Sequence, residues 1–161
     1  MKRVAIALAM LLGMQLAHAE ERGGKRIPPD ATWEKECSSC HVAYPPNLLT
    51  ADDWKKVMGS LDKHFGSNAE LEAKDRKSIE DYLVRNAGSG TRHSSSTLRI
   101  TDTSWFKREH RDISPKEWVH PEVKSPSNCN ACHKIVTGYP WSEHDIHMPR
   151  GIRWEGDGDD D

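Results

Sequence analysis

One pentapeptide pattern, C-x-x-C-H, occurs twice in the sequence and accounts for all four cysteines. The copies consist of Cys37, Cys40 and His41, and of Cys129, Cys132 and His133. Cysteines three residues apart project from one face of a helical turn, so two sulfurs can reach the vinyl groups along one edge of a porphyrin. The adjacent histidine can then bind the iron. Because this spacing is typical of c-type haem attachment, we predict two covalent haem c groups with His41 and His133 as proximal ligands.

Three other roles for the cysteines fit the pattern less well. A tetrahedral zinc site needs four ligands at matched spacings, whereas two identical pentapeptides indicate two independent sites. A thioredoxin-like redox pair needs βαβ surroundings, and the sequence contains no convincing strand pattern. Disulfides are common in oxidising compartments, but they do not explain a histidine after each second cysteine. A zinc or disulfide scaffold therefore stays the non-haem alternative.

The first 19 residues have the features of a cleaved secretory signal peptide. Lys2 and Arg3 precede an apolar stretch at 4–16, and residues 17–19 offer a small-residue cleavage site. The stretch is shorter than the about 20 apolar residues of a spanning helix, and no second apolar run follows it. We expect an exported, periplasmic protein with no transmembrane segment after processing.

Composition excludes nucleic acid as a partner and indicates a hydrophobic core with few apolar residues. The formal net charge is −2, so the basic surface that nucleic-acid binding requires is missing. Part of the 35% hydrophobic content lies in the leader, so the rest of the chain is poor in apolar residues. Covalently held haems would supply the missing apolar bulk.

The motifs divide the chain into two halves. A Gly- and Ser-rich stretch at 88–97 has the composition of a linker. We therefore expect an N-terminal haem unit at 20–87, a C-terminal haem unit at 98–154, and a solvated acidic tail at 155–161. The predicted fold is mainly α, with two small helical haem-binding units and much irregular chain packed around two haems.

Several helix boundaries can be predicted. Thr50 is an expected N-cap, and a third helix is expected at about 73–86. Ser104 is an expected cap, Ser114 begins a capping box, and a helix should pass through the second motif. The residues proposed to form one apolar helical stripe after Thr50 are Trp54, Val57, Met58, Leu61 and Phe65.

Two histidines are the best candidates for distal iron ligands. His64 falls on the apolar stripe, seven residues after Val57, and His110 follows Trp105 and Phe106. We expect two bis-histidine sites, pairing His41 with His64 and His133 with His110, while a crossed pairing between the halves stays open. The weaker candidates are His93, His120, His144, His147, Met58 and Met148. We expect His93 to be a solvated loop residue, and the roles of His144, His147 and Met148 stay open.

With these features in place, the sequence resembles the family of small exported dihaem cytochromes c over roughly residues 30–150. The segments that carry the resemblance are CSSCHVAYPP (37–46), LDKHFG (61–66), WFKREH (105–110) and KSPSNCNACH (124–133). The resemblance implies bis-histidine haems with distal ligands at His64 and His110. It also implies a membrane cytochrome b as electron donor and a small oxygen-binding monohaem cytochrome c as acceptor. The acidic tail, His144 and His147 match nothing in the family pattern.

Two functions follow as hypotheses. The first is a soluble periplasmic carrier of single electrons and not an enzyme, because a six-coordinate bis-histidine iron has no position for a substrate. The second is a small dihaem enzyme or a sensor of oxygen or another gas, which needs one haem with a labile axial ligand. Dihaem peroxidases are longer chains than this one, and no acid–base pair beside a distal pocket is visible in the sequence.

Overall fold

The structure is a computed structural model that describes residues 27–134 and 145–152. Its helices are α1 (Ala31–Cys37), α2 (Ala51–Met58), α3 (Ala73–Arg85), α4 (Ser104–Glu109) and α5 (Pro115–Trp118). Short 3-10 turns lie at Pro46–Leu48, Leu61–Lys63, Thr91–His93, Ile100–Asp102 and Cys129–Ala131. Across the two described ranges no strand forms, and the β pairing consists of isolated bridges. The prediction of a mainly α fold with much irregular chain is confirmed.

The first three helices enclose one apolar core, with α3 packed against both α1 and α2. Trp33 of α1 contacts Tyr82 of α3 at a ring-centroid distance of 5.2 Å. The side chain of Asp30 caps α1 by accepting from the Trp33 N–H, and Thr50 caps α2 as predicted. The buried residues of this core are Trp33, Ala43, Leu49, Trp54, Val57, Met58, Leu61, Ile79, Tyr82 and Leu83.

The predicted apolar stripe is interrupted, because α2 ends at Met58. Gly59 follows as C-cap, and a 3-10 turn leads into a tight reversal at His64 and Phe65. Phe65 has a φ of 49°, in the left-handed region, and is 45% exposed. The placement of Phe65 on a buried helical face was therefore wrong. Leu61 still lies in the core, and its carbonyl accepts from the Ala69 N–H at 2.8 Å.

The Gly- and Ser-rich segment at 88–97 packs against the first half of the chain. The Gly88 N–H donates to the Leu49 carbonyl at 2.8 Å, and the Ser95 N–H donates to the Asp53 carboxylate at 3.1 Å. His93 is only 5% exposed, so the expectation that it is a solvated loop residue was wrong. Leu98 also packs on the first core, so the stretch predicted as a linker is part of the packed structure. The boundaries of the two units stay a prediction.

In the second half the predicted helices are present with shifted or shortened bounds. The N-cap of α4 is Thr103, one residue before the predicted Ser104, and it accepts from the Phe106 N–H at 3.1 Å. Ser114 and Glu117 form the predicted capping box of α5. The second motif lies in a 3-10 turn and not in the predicted helix. In the ranges that the structure describes, no helix has the length and apolar character needed to cross a bilayer.

Candidate functional site

The first C-x-x-C-H motif begins at the last residue of α1 and continues into a turn. The Ser38 N–H caps the helix by donating to the Glu34 carbonyl, and the Ser39 hydroxyl donates to the Glu36 carbonyl at 2.8 Å. Burial raises the pKa of the Cys37 thiol to about 11, whereas Cys40 is exposed. The first cysteine is therefore held inward by the helix end, and the second lies on the adjoining turn.

His41 lies close to His64, with ring centroids 6.1 Å apart and ring planes at 24°. Metal–imidazole bonds are about 2 Å long and a ring nitrogen lies about 1.1 Å from its ring centroid, so two imidazoles on one metal have centroids about 6.2 Å apart. The His41 Nδ1 lies 2.7 Å from the Val42 carbonyl oxygen. With Nδ1–H donating to that carbonyl, Nε2 is left as the metal-binding nitrogen. The geometry of this pair fits one shared iron.

His110 and His133 form a second pair, also with ring centroids 6.1 Å apart, but with ring planes at 74°. His110 is positioned by α4, because its Nδ1 lies 2.9 Å from the Phe106 carbonyl and its ring stacks on the Phe106 ring at 4.1 Å. The Trp118 ring of α5 lies 5.7 Å from His110 on another side. Aromatic packing and one carbonyl therefore fix the imidazole in place, again leaving Nε2 to bind a metal.

A cavity adjoins the second pair and the second motif. Its empty volume, including the part open to solvent, is about 1270 Å³. The cavity is lined by Cys129, Cys132, His110 and His133 together with mainly apolar side chains, among them Trp105, Phe106, Ile113, Trp118, Val123, Pro126, Ile146, Met148 and Ile152. An apolar lining with a few converging polar groups is suited to a flat apolar macrocycle. The residues present therefore fit a haem at this motif.

Burial favours the neutral form of the His133, His110 and His64 imidazoles. Burial, with a smaller contribution from the neighbouring His110, lowers the pKa of His133 to about 4. Burial also lowers the pKa of His110 and of His64, with His41 adding to the effect at His64. The neutral imidazole is the form that binds a metal.

Tyr44 contacts parts of both sites, and the sequence analysis assigned it no functional role. Its ring stacks on His41 with centroids 4.8 Å apart and planes at 25°. Its hydroxyl donates to the Ser127 carbonyl at 2.7 Å, 83 positions away. Burial raises the pKa of Tyr44 to about 12, and the nearby Cys129 contributes to the rise. A tyrosine three residues after the histidine of a C-x-x-C-H motif was the available signal.

The remaining candidate ligands occupy different positions. His93 stacks on Trp105 at 5.6 Å and accepts from the Arg92 side chain at 3.0 Å. The His120 Nδ1 accepts from the Glu122 N–H at 3.2 Å within a local turn. His147 is exposed, and its backbone N–H donates to the Cys132 carbonyl. Met148 lines the cavity, whereas Met58 lies in the first core. His144, the signal peptide and the acidic tail lie outside the described residues.

The non-haem alternatives find no support in the described part of the chain. No disulfide joins Cys37 to Cys40 or Cys129 to Cys132 in the part of the chain that the structure describes. At 27–134 and 145–152, no cluster of three or more His, Cys, Asp or Glu could hold a metal ion such as zinc. The assignment of the attachment cysteines and iron ligands stays a prediction, which the two facing histidine pairs support.

Comparisons with known proteins show the family to which the chain is similar. The family model of dihaem cytochrome c matches residues 33–139. The structure of a diheme cytochrome c from Shewanella baltica, 36% identical, superposes with a TM-score of 0.69 over 80% of this chain and 100% of that chain. A structure of DHC purified from Rhodobacter sphaeroides is 44% identical, with a TM-score of 0.58 over 67% of this chain and 93% of that chain. A second structure from Rhodobacter sphaeroides, of diheme cytochrome c, is 40% identical, with a TM-score of 0.60 over 68% and 94% of the two chains.

No significant match was found among curated proteins. The family model nevertheless covers more than half of the chain, and the S. baltica protein exceeds 30% identity over its whole length. The chain therefore belongs to the dihaem cytochrome c family and carries two covalently bound haem c groups.

Proposed function

We propose that this protein is a periplasmic electron-transfer protein and not an enzyme. The observation that carries the proposal is the presence of two histidine pairs, each with ring centroids 6.1 Å apart. At this separation His41 with His64, and His110 with His133, would each supply two ligands to one haem iron, and neither site would then keep a position for a substrate. A bound haem c supplies a one-electron Fe(III)/Fe(II) couple, and bis-histidine ligation favours a lower potential than His/Met ligation.

The residues around the ligands tune and protect the two sites. The carbonyls of Val42 and Phe106 accept from the Nδ1–H groups of His41 and His110, which orients each ring and raises its basicity. A more basic ligand stabilises the oxidised iron and so lowers the potential. At the second site the Phe106 and Trp118 rings place apolar surface against the His110 imidazole.

The proposed partners and location rest on the family and on the leader sequence. The predicted cleavage at 17–19 would release the chain into the periplasm. There the family resemblance suggests a membrane cytochrome b as donor and a small monohaem cytochrome c as acceptor. The donor can be tested by mixing it in reduced form with this protein, and the acceptor by mixing it with the reduced form of this protein, while the haem absorbance is followed in a stopped-flow instrument.

Electron paramagnetic resonance of the oxidised protein tests the ligands. The two ring pairs differ in plane angle, 24° against 74°, and that angle governs the anisotropy of a low-spin ferric signal. We expect two different low-spin signals, the more anisotropic one from the His110 and His133 pair. His64→Met should remove the less anisotropic signal and His110→Met the other. His147→Gln, which changes an exposed histidine, is the matched control and should leave both signals unchanged.

Carbon monoxide separates the carrier from the alternative enzyme or gas sensor. The ferrous wild-type protein should show no rapid spectral shift, because the two histidines proposed for each iron would leave no position for carbon monoxide. His110→Ala should bind carbon monoxide at one haem of the two. Rapid binding by the wild type would overturn the carrier function and favour a site with a labile ligand.

A further inference from the structure

Tyr44 contacts the first attachment motif and the segment that leads into the second. On one side its ring stacks on the first motif's His41 at 4.8 Å. On the other its hydroxyl donates to the backbone carbonyl of Ser127 at 2.7 Å, two residues before Cys129. One side chain therefore touches a predicted iron ligand of one site and the attachment loop of the other.

The segment that carries Tyr44 is packed into the structure. Ala43 is fully buried, and Tyr44 precedes two buried prolines, the first of which restricts the Tyr44 backbone to extended conformations. The carbonyl of Pro46 accepts from the buried Trp54 indole N–H at 2.5 Å, so this segment is tied to the first core. The tyrosine hydroxyl is thus presented from a fixed position.

The acceptor side is also held in place. The Ser127 and Ser125 hydroxyls lie 2.8 Å apart, and the Asn128 N–H donates to the Ser125 carbonyl at 3.0 Å. The Asn128 amide donates to the carbonyl of Val123 at 2.9 Å, and Val123 lines the cavity of the second site. A single hydrogen bond between two fixed segments can therefore set the separation of the sites that they carry.

We propose that Tyr44 is a positioning residue that sets the spacing and the electronic interaction between the two haem sites through its hydrogen bond to Ser127. The proposal rests on the electron-transfer function proposed above. Because the hydroxyl and the ring act on different partners, they can be separated experimentally. Tyr44→Phe removes the hydrogen bond to Ser127 and keeps a ring to stack on His41.

Tyr82→Phe is the matched control. The Tyr82 hydroxyl also donates to a backbone carbonyl, that of Pro28 at 3.1 Å, and its ring also contacts an aromatic ring, that of Trp33. This contact lies wholly within the first half of the chain, so its loss should lower stability without affecting the contact between the sites. The two variants undergo the same chemical change at different places.

The experiment compares the two-haem holoproteins by redox titration and by electron paramagnetic resonance of the fully oxidised state. For Tyr44→Phe we expect a shift in the separation of the two midpoint potentials and a loss of magnetic interaction between the irons, with the ligand signature of each iron unchanged. Tyr82→Phe should show neither change.

Three outcomes would overturn the proposal. The first is a wild-type interaction and potential separation in Tyr44→Phe, and the second is an equal change in Tyr82→Phe. The third is accumulation of Tyr44→Phe with fewer than two haems while Tyr82→Phe carries both, since the tyrosine would then serve attachment and not spacing. A failure of the electron-transfer function is distinguishable, because it would appear in the wild type as rapid carbon monoxide binding.

Discussion

Replacement of Asp53 tests whether the segment at 88–97 is a packed element. Asp53 is 2% exposed, and its carboxylate accepts from the Ser95 N–H at 3.1 Å and the Thr50 hydroxyl at 2.9 Å. The Lys56 ammonium donates to its other oxygen at 3.2 Å. Because Ser95 is also buried, this carboxylate is the main polar contact that binds the segment to α2.

The expected loss in the free energy of unfolding follows from these hydrogen bonds to the Asp53 carboxylate. A hydrogen bond to a charged group contributes about 1.5–3 kcal/mol, against about 0.5–1.5 kcal/mol for a neutral one. Asp53→Asn keeps one carbonyl oxygen to accept from Ser95 and Thr50, so we expect the free energy of unfolding to fall by about 2 kcal/mol. Asp53→Ala leaves the Ser95 N–H buried and unsatisfied, so the loss should be about 3–4 kcal/mol.

Guanidinium denaturation of the oxidised holoprotein, followed by far-ultraviolet circular dichroism, measures these losses. Asp52→Asn is the matched control, because Asp52 lies in the same helical turn but has an 81% exposed side chain paired only with Lys55. That variant should lose at most about 0.5 kcal/mol. If Asp53→Asn is no more destabilising than Asp52→Asn, the carboxylate does not hold the segment and the reasoning fails.

The effect should also depend on pH. Burial alone would raise the pKa of Asp53, but hydrogen bonds from Ser95, Thr50, Ser94 and Lys56 together lower it below 3.8. A carboxyl with a lowered pKa in the folded state stabilises the fold above its unfolded pKa and loses that contribution as the pH falls through the folded value. The stability difference between the wild type and Asp53→Asn should therefore be full at neutral pH and shrink below pH 3.8.

The remaining predictions concern backbone packing and the first core, and the same denaturation assay checks them. A Cβ at Gly88 would lie 2.9 Å from the His93 ring and impossibly close to the Asn47 carbonyl, so Gly88→Ala should lose about 3 kcal/mol. A Cβ at Gly59 would lie no closer than 3.1 Å to its nearest neighbour, so Gly59→Ala should change stability by no more than about 1 kcal/mol. Equal losses of stability in Gly88→Ala and Gly59→Ala would contradict the close packing at Gly88. Trp54→Phe removes a buried indole donor and should lose about 1–3 kcal/mol, and a neutral result would mean that the bond adds nothing.

Local signals in the sequence predicted local structure well. Thr50, the Ser114 capping box and α3 were found from residue type and spacing, because caps and helical periodicity depend on neighbours within a few positions. The error at α4 was one residue, since Thr103 and Ser104 are both good N-caps. His64 was identified from a helical stripe, although the structure has a turn at that position.

Contacts between distant parts of the chain were less accessible. His93 was expected in solvent because Gly and Ser surround it, yet it is buried beside Trp105. Composition describes what a segment could do in isolation, whereas burial depends on which surface the segment meets after folding. The bond from Tyr44 to Ser127 could not be inferred for the same reason.

The sequence by itself determined the cofactor, because covalent attachment of haem c needs only two cysteines and a histidine within five residues. It also determined the helical class through caps and periodicity. The tertiary structure alone decided which distal histidine faces which motif and how the two motif loops meet. Those contacts join residues 23 to 83 positions apart, and only the folded path of the chain brings them within hydrogen-bonding or ligand-sharing distance.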